Sequence, residues 1–281
     1  MACRVMRPRL SWLASCCADW GLRTPMSDTD FSGQRLLVIG GSRGVGRAIA
    51  LAGAARGADV AILYRSRVEE AEAVLTAIRA EGRAAHAVQA DLADAQATQA
   101  AIDMAAEKLG GISLLAHAAG AMGQWASVAE MAPADWQRYI AVDLNGCFHA
   151  LHAAIPHLRR QGGAILAISS IASQMCQARN AQGAAAKAGV EALIRVTAKE
   201  EARHKIRANA LAIGLTQTDM AQTAFDAWGP ETSARIIKGI PLARIATAEE
   251  VAGVACFMMG PACGYLTGKV LQLDGGQIIA G

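Results

Sequence analysis

The residues best placed to do chemistry come early. The segment "VIGGSRGVGRAIA" (38–50) carries Gly40, Gly44 and Gly46 where an apolar run gives way to an Ala-rich stretch. A pyrophosphate needs close backbone approach and free N–H groups at a helix N-terminus, and side chains at those positions would obstruct it. Gly-rich turns are common, so the pattern gains weight from standing between a strand-like run and a helical one. The second apolar run ends in "ILYRSR", with Tyr64, Arg65, Ser66 and Arg67 and no carboxylate before Glu69. An acid there would bind a ribose 2′-hydroxyl, whereas guanidiniums bind a 2′-phosphate through charge-assisted hydrogen bonds. Arg43, inside the glycine turn, can reach the same region. Arg65 and Arg67 could also be merely solvated, but the missing acid points to NADP(H).

These residues need a frame to hold them. Short β-rich apolar runs stand at 35–40, 58–64, 84–90, 113–119, 163–169, 206–213 and 269–274. Between them lie helical patterns at Gly44–Arg56, Val68–Glu81, Ala95–Leu109, Asp135–Gln161, Ala181–His204 and Thr247–Met259. Alternation of this kind predicts βαβ units and an α/β fold, a Rossmann-type doubly wound parallel sheet of about seven strands with helices on both faces. Right-handed crossovers then put ligands at the carboxyl ends of the strands. No repeat or linker divides the pattern, so residues 31–281 read as one domain.

Composition agrees. Of 281 residues 53% are hydrophobic, with 28 Gly and only 7 Pro, enough to bury a large core. A net charge of +3 with interspersed signs gives no footprint for nucleic acid. The Ala-rich runs are broken by charges, which argues against a membrane span. Three of the 7 cysteines fall in the first 17 residues, and Cys147, Cys176, Cys256 and Cys263 show no paired spacing. That scatter fits neither a zinc site nor a disulfide framework, and predicts free thiols in the cytoplasm with no metal. Residues 1–30 differ in character and are expected to be a poorly ordered extension. "LASC", ending at Cys16, looks like a lipoprotein cleavage site, but its apolar run is short for an export signal. Translation from Met26 is the favoured alternative, because the fold needs a cytosolic cofactor.

From the glycine turn onward the chain resembles the short-chain dehydrogenase/reductases over about 250 residues, particularly those reducing 3-oxoacyl thioesters and, less closely, enoyl thioesters. "VIGGSRGVGRAIA" resembles the family's TGxxxGxG loop, which adds Ser42 and Val45 to the cofactor contacts. Asp91-Leu92 match the pair that holds the adenine ring. "LAHAAG" (115–120) stands where the family has NNAG, which implies cofactor contacts at Ala118, Ala119 and Gly120. "VDLNGCF" (142–148) resembles VNLxGxF, with Asp143 in place of Asn. "ISS" (168–170) makes Ser170 the match for the catalytic serine, and "AAAKAGVEAL" (184–193) makes Lys187 the match for the catalytic and ribose-binding lysine. "IRANALAIGLTQTDM" (206–220) resembles the cofactor loop, which implicates Gly214, Thr216 and Thr218. Met220–Ile240 resembles the mobile substrate lid, where Phe225 and Trp228 suggest an apolar substrate.

The departures fall on the chemistry. Four residues before Lys187 the family has a proton-donating tyrosine, and this chain has Gly183. The enoyl reductases carry theirs seven residues before the lysine, where this chain has Asn180. Tyr64, Tyr139 and Tyr265 are taken up by other matches. His117, Asp143, Cys176, Arg179, Asn180 and Gln182 are the candidate substitutes, and His117 comes first because its ordinary pKa suits proton transfer. The expected function is thus NADPH-dependent reduction of a carbonyl or an activated C=C bond with a modified set of catalytic groups. A catalytically impaired NADP-binding protein, acting as sensor or oligomer partner, is the alternative, and loss of cofactor binding altogether the third. The resemblance also implies a homodimer or homotetramer built through the long helices at 135–161 and 181–204.

Overall fold

The computed structural model describes residues 30–123 and 125–279. The expectations about Cys16, Met26 and the rest of the extension up to residue 29 lie outside the described residues.

Strand β1 (Arg35–Ile39) leads through the glycine turn into α1 (Gly44–Ala55), and β2 (Asp59–Tyr64) into α2 (Val68–Ala80). Then come β3 (Ala85–Gln89), α3 (Ala95–Leu109) and β4 (Leu114–His117). A long connection carries α4 (Pro133–Ile140), a π turn (Ala141–Asn145) and α5 (Gly146–Leu158) to β5 (Gly163–Ser170). The short α6 (Ala172–Met175), α7 (Ala181–Glu201) and β6 (Ile206–Ile213) follow. Helices α8 (Asp219–Trp228), α9 (Pro230–Lys238) and α10 (Ala248–Met259) precede β7 (Val270–Leu273). The described residues form one parallel sheet of seven strands in the order β3-β2-β1-β4-β5-β6-β7.

The predicted strands all form, for the reason their composition suggests. Leu36, Leu37, Val38 and Ile39 are fully buried, as a strand covered on both faces requires. Helices α1, α2 and α10 pack one face through Ile49, Val74, Ile78, Val251 and Met258. Helices α3, α5 and α7 pack the other through Ile102, Ala105, Cys147, Leu158, Val190 and Ile194. Chemistry also fixes the helix ends. Asp94 caps α3 by accepting from the N–H groups of Gln96 and Ala97, and Gly110 ends it in the left-handed region. Thr247 and Glu250 form a reciprocal capping box on α10.

One expectation changes in detail. The segment read as a single helix over 135–161 begins at Pro133 and is interrupted by the π turn, and that interruption holds Asp143. The strand order reverses between β1 and β4, so their carboxyl ends open the crevice where ligands bind in such sheets.

Candidate active site

The glycine turn sits at the carboxyl end of β1. Gly40 has φ +80°, and a Cβ on it would come within 2.8 Å of the Ala119 Cα. A Cβ on Gly46 would collide with the Gly40 carbonyl. Both positions therefore require glycine, and Gly40 brings β1 and the segment after β4 into backbone contact. Ser42 and Val45 are buried at the turn, and Ala118 donates its N–H to the Ile39 carbonyl at 2.9 Å. Arg43 is the N-cap of α1 without a side-chain capping bond, which leaves the helix start suited to an anion. Across the crevice Thr218 lies against the turn, 3.3 Å from where a Cβ on Gly44 would stand. Arg43 also pairs with Asp219, the first residue of α8, at 3.7 Å.

The remaining positions expected to hold a cofactor line the same edge. Tyr64 ends β2 half-buried, while Arg65, Ser66 and Arg67 are exposed beyond it. Arg67 is engaged by Glu70 at 2.9 Å and Arg43 more loosely by Asp219 at 3.7 Å, so Arg65 and then Arg43 are the guanidiniums best able to turn to a phosphate. Asp91 follows β3, its Oδ1 accepting from the Ala93 N–H at 3.0 Å, with Leu92 buried beside it. Gly214 and Thr216 shape the loop after β6, where the Thr216 hydroxyl donates to the Gly214 carbonyl and Thr218 to the Thr216 carbonyl. A glycine turn, an uncapped helix start and an acid-free β2 end fit a dinucleotide.

Lys187 Nζ lies 2.9 Å from Asp143 Oδ1, and the two side chains are only 12% and 1% exposed. The other carboxylate oxygen, Oδ2, accepts from the Ala121 N–H at 2.6 Å. Burial is the largest single influence and works against the Lys187 ammonium, but the charge and hydrogen bond of Asp143, with Tyr139 and Cys147 adding to them, together outweigh it and the net displacement is upward. Gly120 makes room for this pair, since a Cβ there would stand 3.3 Å from Asp143 Oδ1 and 3.8 Å from Lys187 Nζ. Ser170 ends β5 half-buried and accepts from the Ala172 N–H at 3.2 Å, a contact that uses a lone pair and not the hydroxyl proton. Beneath it Glu191 is buried and accepts from the hydroxyls of Ser169 at 2.8 Å and Ser173 at 2.7 Å, with Arg195 at 3.5 Å. This carboxylate ties the end of β5 to α7, so the elements bearing Ser170 and Lys187 are held together.

One expectation about proton donors meets the structure badly. His117 is buried and neither ring nitrogen has a hydrogen-bond partner among the described residues. Burial, and then the Lys187 charge, push it down to about 3, so its imidazole is neutral near pH 7 and has no spare proton of suitable acidity. At Gly183 the Asn180 side chain folds back over the backbone, so that a Cβ added there would collide with Asn180 Oδ1. Sequence reasoning also missed a tyrosine. Tyr139 on α4 lies where a Cβ on Gly123 would meet its ring at 3.0 Å, and its phenol feels the charges of both Asp143 and Lys187. Its spacing of four residues before Asp143 on one helical run was the available signal.

Residues 39–277 match the family model described as enoyl-(acyl carrier protein) reductase. The chain belongs to the short-chain dehydrogenase/reductases. It is 36% identical over 253 residues to a 3-oxoacyl-[acyl-carrier-protein] reductase of Synechocystis, covering 89% of this chain and 99% of that one. A 3-oxoacyl-[acyl-carrier-protein] reductase of Staphylococcus aureus is 34% identical over 242 residues, covering 86% and 96%. Among solved structures, a short-chain dehydrogenase of Burkholderia cenocepacia in complex with NADP superposes with a TM-score of 0.81 at 34% identity, over 88% of this chain and 99% of that one. A short-chain dehydrogenase/reductase of Serratia marcescens gives 0.82 at 31% identity, again over 88% and 99%. The family's members use NAD(P)(H), and this chain is an oxidoreductase.

Proposed function

We propose that this short-chain dehydrogenase/reductase uses NADPH to reduce a carbonyl group, with a 3-oxoacyl thioester as the first substrate class to test. The observation that carries the reading is the buried Lys187–Asp143 pair, on a helix that Glu191 ties to the strand end bearing Ser170, close to an intact glycine turn. Bound NADPH would supply hydride to the substrate carbon. Lys187 would hold the cofactor's ribose while Asp143 fixes the ammonium in place. Ser170 would donate its free hydroxyl proton as a hydrogen bond to the developing oxyanion, where preorganised donors act most strongly. Arg65 and Arg43 would hold the 2′-phosphate, because the end of β2 has no carboxylate to repel it.

Trp125, Phe225 and Trp228 pack edge to face at ring distances of 5.3 and 5.9 Å. They give the lid segment an apolar underside that suits an acyl chain. Exposed Phe148 on α5 and Val196 on α7 favour a homodimer or homotetramer through the long helices. Among the described residues no helix is long and apolar enough to cross a membrane. A cytoplasmic location follows from the proposed cofactor. The competing reading, an NADP-binding protein without turnover, draws on one observation, the side chain of Asn180 packed over Gly183.

The test is a turnover screen of 3-oxoacyl and enoyl thioesters with NADPH and NADH. Reduction of the 3-oxoacyl substrate with NADPH supports the proposal. Reduction of the enoyl substrate alone moves it to C=C chemistry, and NADPH binding without turnover supports the competing reading.

A further inference from the structure

Three serines stand around the end of β5, and their hydroxyls are engaged differently. Ser169 is buried and donates to Glu191 Oε1 at 2.8 Å. Ser173, on α6, has its hydroxyl 2.7 Å from the same carboxylate oxygen and 2.8 Å from the Ser170 carbonyl. Ser170 lies between them and accepts the Ala172 N–H on its hydroxyl oxygen at 3.2 Å, which leaves its proton uncommitted among the described residues. Of the three, Ser170 is the one that keeps a proton to offer a ligand. The group that takes up the other two is Glu191.

A carboxylate at this place demands partners, because it is buried. Its Oε1 accepts the two hydroxyls, and its Oε2 accepts from the exposed Arg195 guanidinium, one turn further along α7, at 3.5 Å. Apolar packing already joins β5 to α7 through Ile165, Ala167, Val190 and Ile194. What Glu191 adds is direction, since hydrogen bonds on both sides of Ser170 converge on one oxygen. Glu191 also stands four residues after Lys187, on the same face of α7. One helix face therefore carries both the lysine that pairs with Asp143 and the carboxylate that holds the backbone around Ser170.

We infer that Glu191 is a positioning residue for this reaction, aiming the Ser170 hydroxyl at the substrate oxygen through Ser169 and Ser173. The inference rests on the carbonyl-reductase reading above. Ser169 anchors the strand on one side of Ser170, and Ser173 anchors the Ser170 carbonyl on the other. With the carboxylate removed, Ser169 is left buried without its acceptor, Ser173 turns wholly to the Ser170 carbonyl, and the peptide bearing Ser170 is free to shift. The oxyanion that Ser170 serves develops only as the hydride is transferred. Misdirecting its donor therefore slows the reduction and leaves cofactor and substrate binding alone.

The experiment follows single-turnover reduction of a 3-oxoacyl thioester by NADPH in the full-length wild type, Glu191→Gln, Glu191→Met, Ser170→Ala and the double variant Glu191→Met/Ser170→Ala. Glu191→Met should lose at least about tenfold in rate, while its half-saturating substrate concentration and its NADPH Kd move less than about twofold. Glu191→Gln should stay within about threefold of wild type, because its amide oxygen still accepts both hydroxyls. In the Ser170→Ala background, Glu191→Met should cost less than about twofold more, since a residue acting through Ser170 then has nothing to act on. Should Glu191→Met fail to fold, as loss of NADPH binding would show, Ser173→Ala carries the test. It severs the link from Glu191 to the Ser170 carbonyl and should slow reduction at least about threefold at unchanged NADPH Kd. A wild-type rate in the folded variant, or losses that multiply in the double variant, overturns the inference and leaves the functional reading intact. A wild type that binds NADPH yet reduces no ketone or thioester overturns the reading and the inference together.

Discussion

Asp143 does two jobs with two oxygens, pairing with the Lys187 ammonium through Oδ1 and accepting the Ala121 N–H through Oδ2. An asparagine can satisfy only one of these as an acceptor, because its other terminal atom is an N–H donor. Asp143→Asn should therefore leave either the ammonium or the amide poorly partnered in a buried site. Removing one partner of a buried pair costs about 3–5 kcal/mol, and the neutral acceptor that remains offsets some of that, so a loss of about 2–3 kcal/mol is expected in urea unfolding. NADPH affinity should change in parallel, since Lys187 would be freed to move. A variant as stable as wild type would show that the pair contributes nothing net, as some buried pairs do. The chemistry of single residues was legible where type alone decides it, as in the acid-free end of β2, whereas Lys187 was found through the motif it shares with the family. It was illegible for His117, whose ordinary pKa made it attractive until burial with unpartnered nitrogens removed it.

The elements were read nearly as they form, because a strand buried on both faces must be a continuous apolar run and each such run did become a strand. The helix over 135–161 is the instructive exception. Its apolar periodicity is continuous, and Gly146, which closes the π turn at Ala141–Asn145, was read as part of a family motif and not as a break in the helix. Such bulges often accompany functional sites, and this one turns Asp143 toward Lys187. Tyr139 was overlooked for a related reason, since its match assigned it to the helix and not to the face it shares with Asp143. The start of α7 gives a prediction of its own. Asn180 precedes α7 without capping it, and its amide folds over Gly183. Replacing a helical glycine normally gains up to about 1 kcal/mol, but here the new Cβ must displace that amide. Gly183→Tyr alone should lower the melting temperature, and Asn180→Ala added to it should recover most of the loss. A single variant that melts at or above wild type would mean that Asn180 yields freely.

At the scale of the whole molecule, one buried group should dominate the first stage of acid unfolding. His117 lies at the centre of the sheet, between Ile39 and Ala167 on the neighbouring strands. Its pKa falls from 6.5 to about 3 in the folded chain, mainly by burial, with Lys187 adding to it. Below pH 6.5 the unfolded chain takes up a proton that the native chain refuses, so stability is present above that pH and lost as pH falls toward about 3. The slope approaches about 1.4 kcal/mol per pH unit, which makes the loss about 2 kcal/mol by pH 5. The carboxylates act later. Glu201, held low by Arg159, and Glu250, held at about 2 by Arg244 and the Thr247 N–H, lose their contributions only as pH falls below about 4.5. His86 is lowered too, by burial and by Lys108 and Arg79, but it is half-exposed and screened. The interval from pH 6.5 to 5 therefore belongs mostly to His117. Thermal melts across it should show wild type losing roughly 4–8 °C, at about 2–4 °C per kcal/mol for a chain of this size. His117→Asn, which carries no titrating group, should hold nearly constant over the same interval whatever its absolute stability. Equal slopes for the two proteins would mean that water reaches the imidazole and that the sheet is less tightly closed around it than its packing implies.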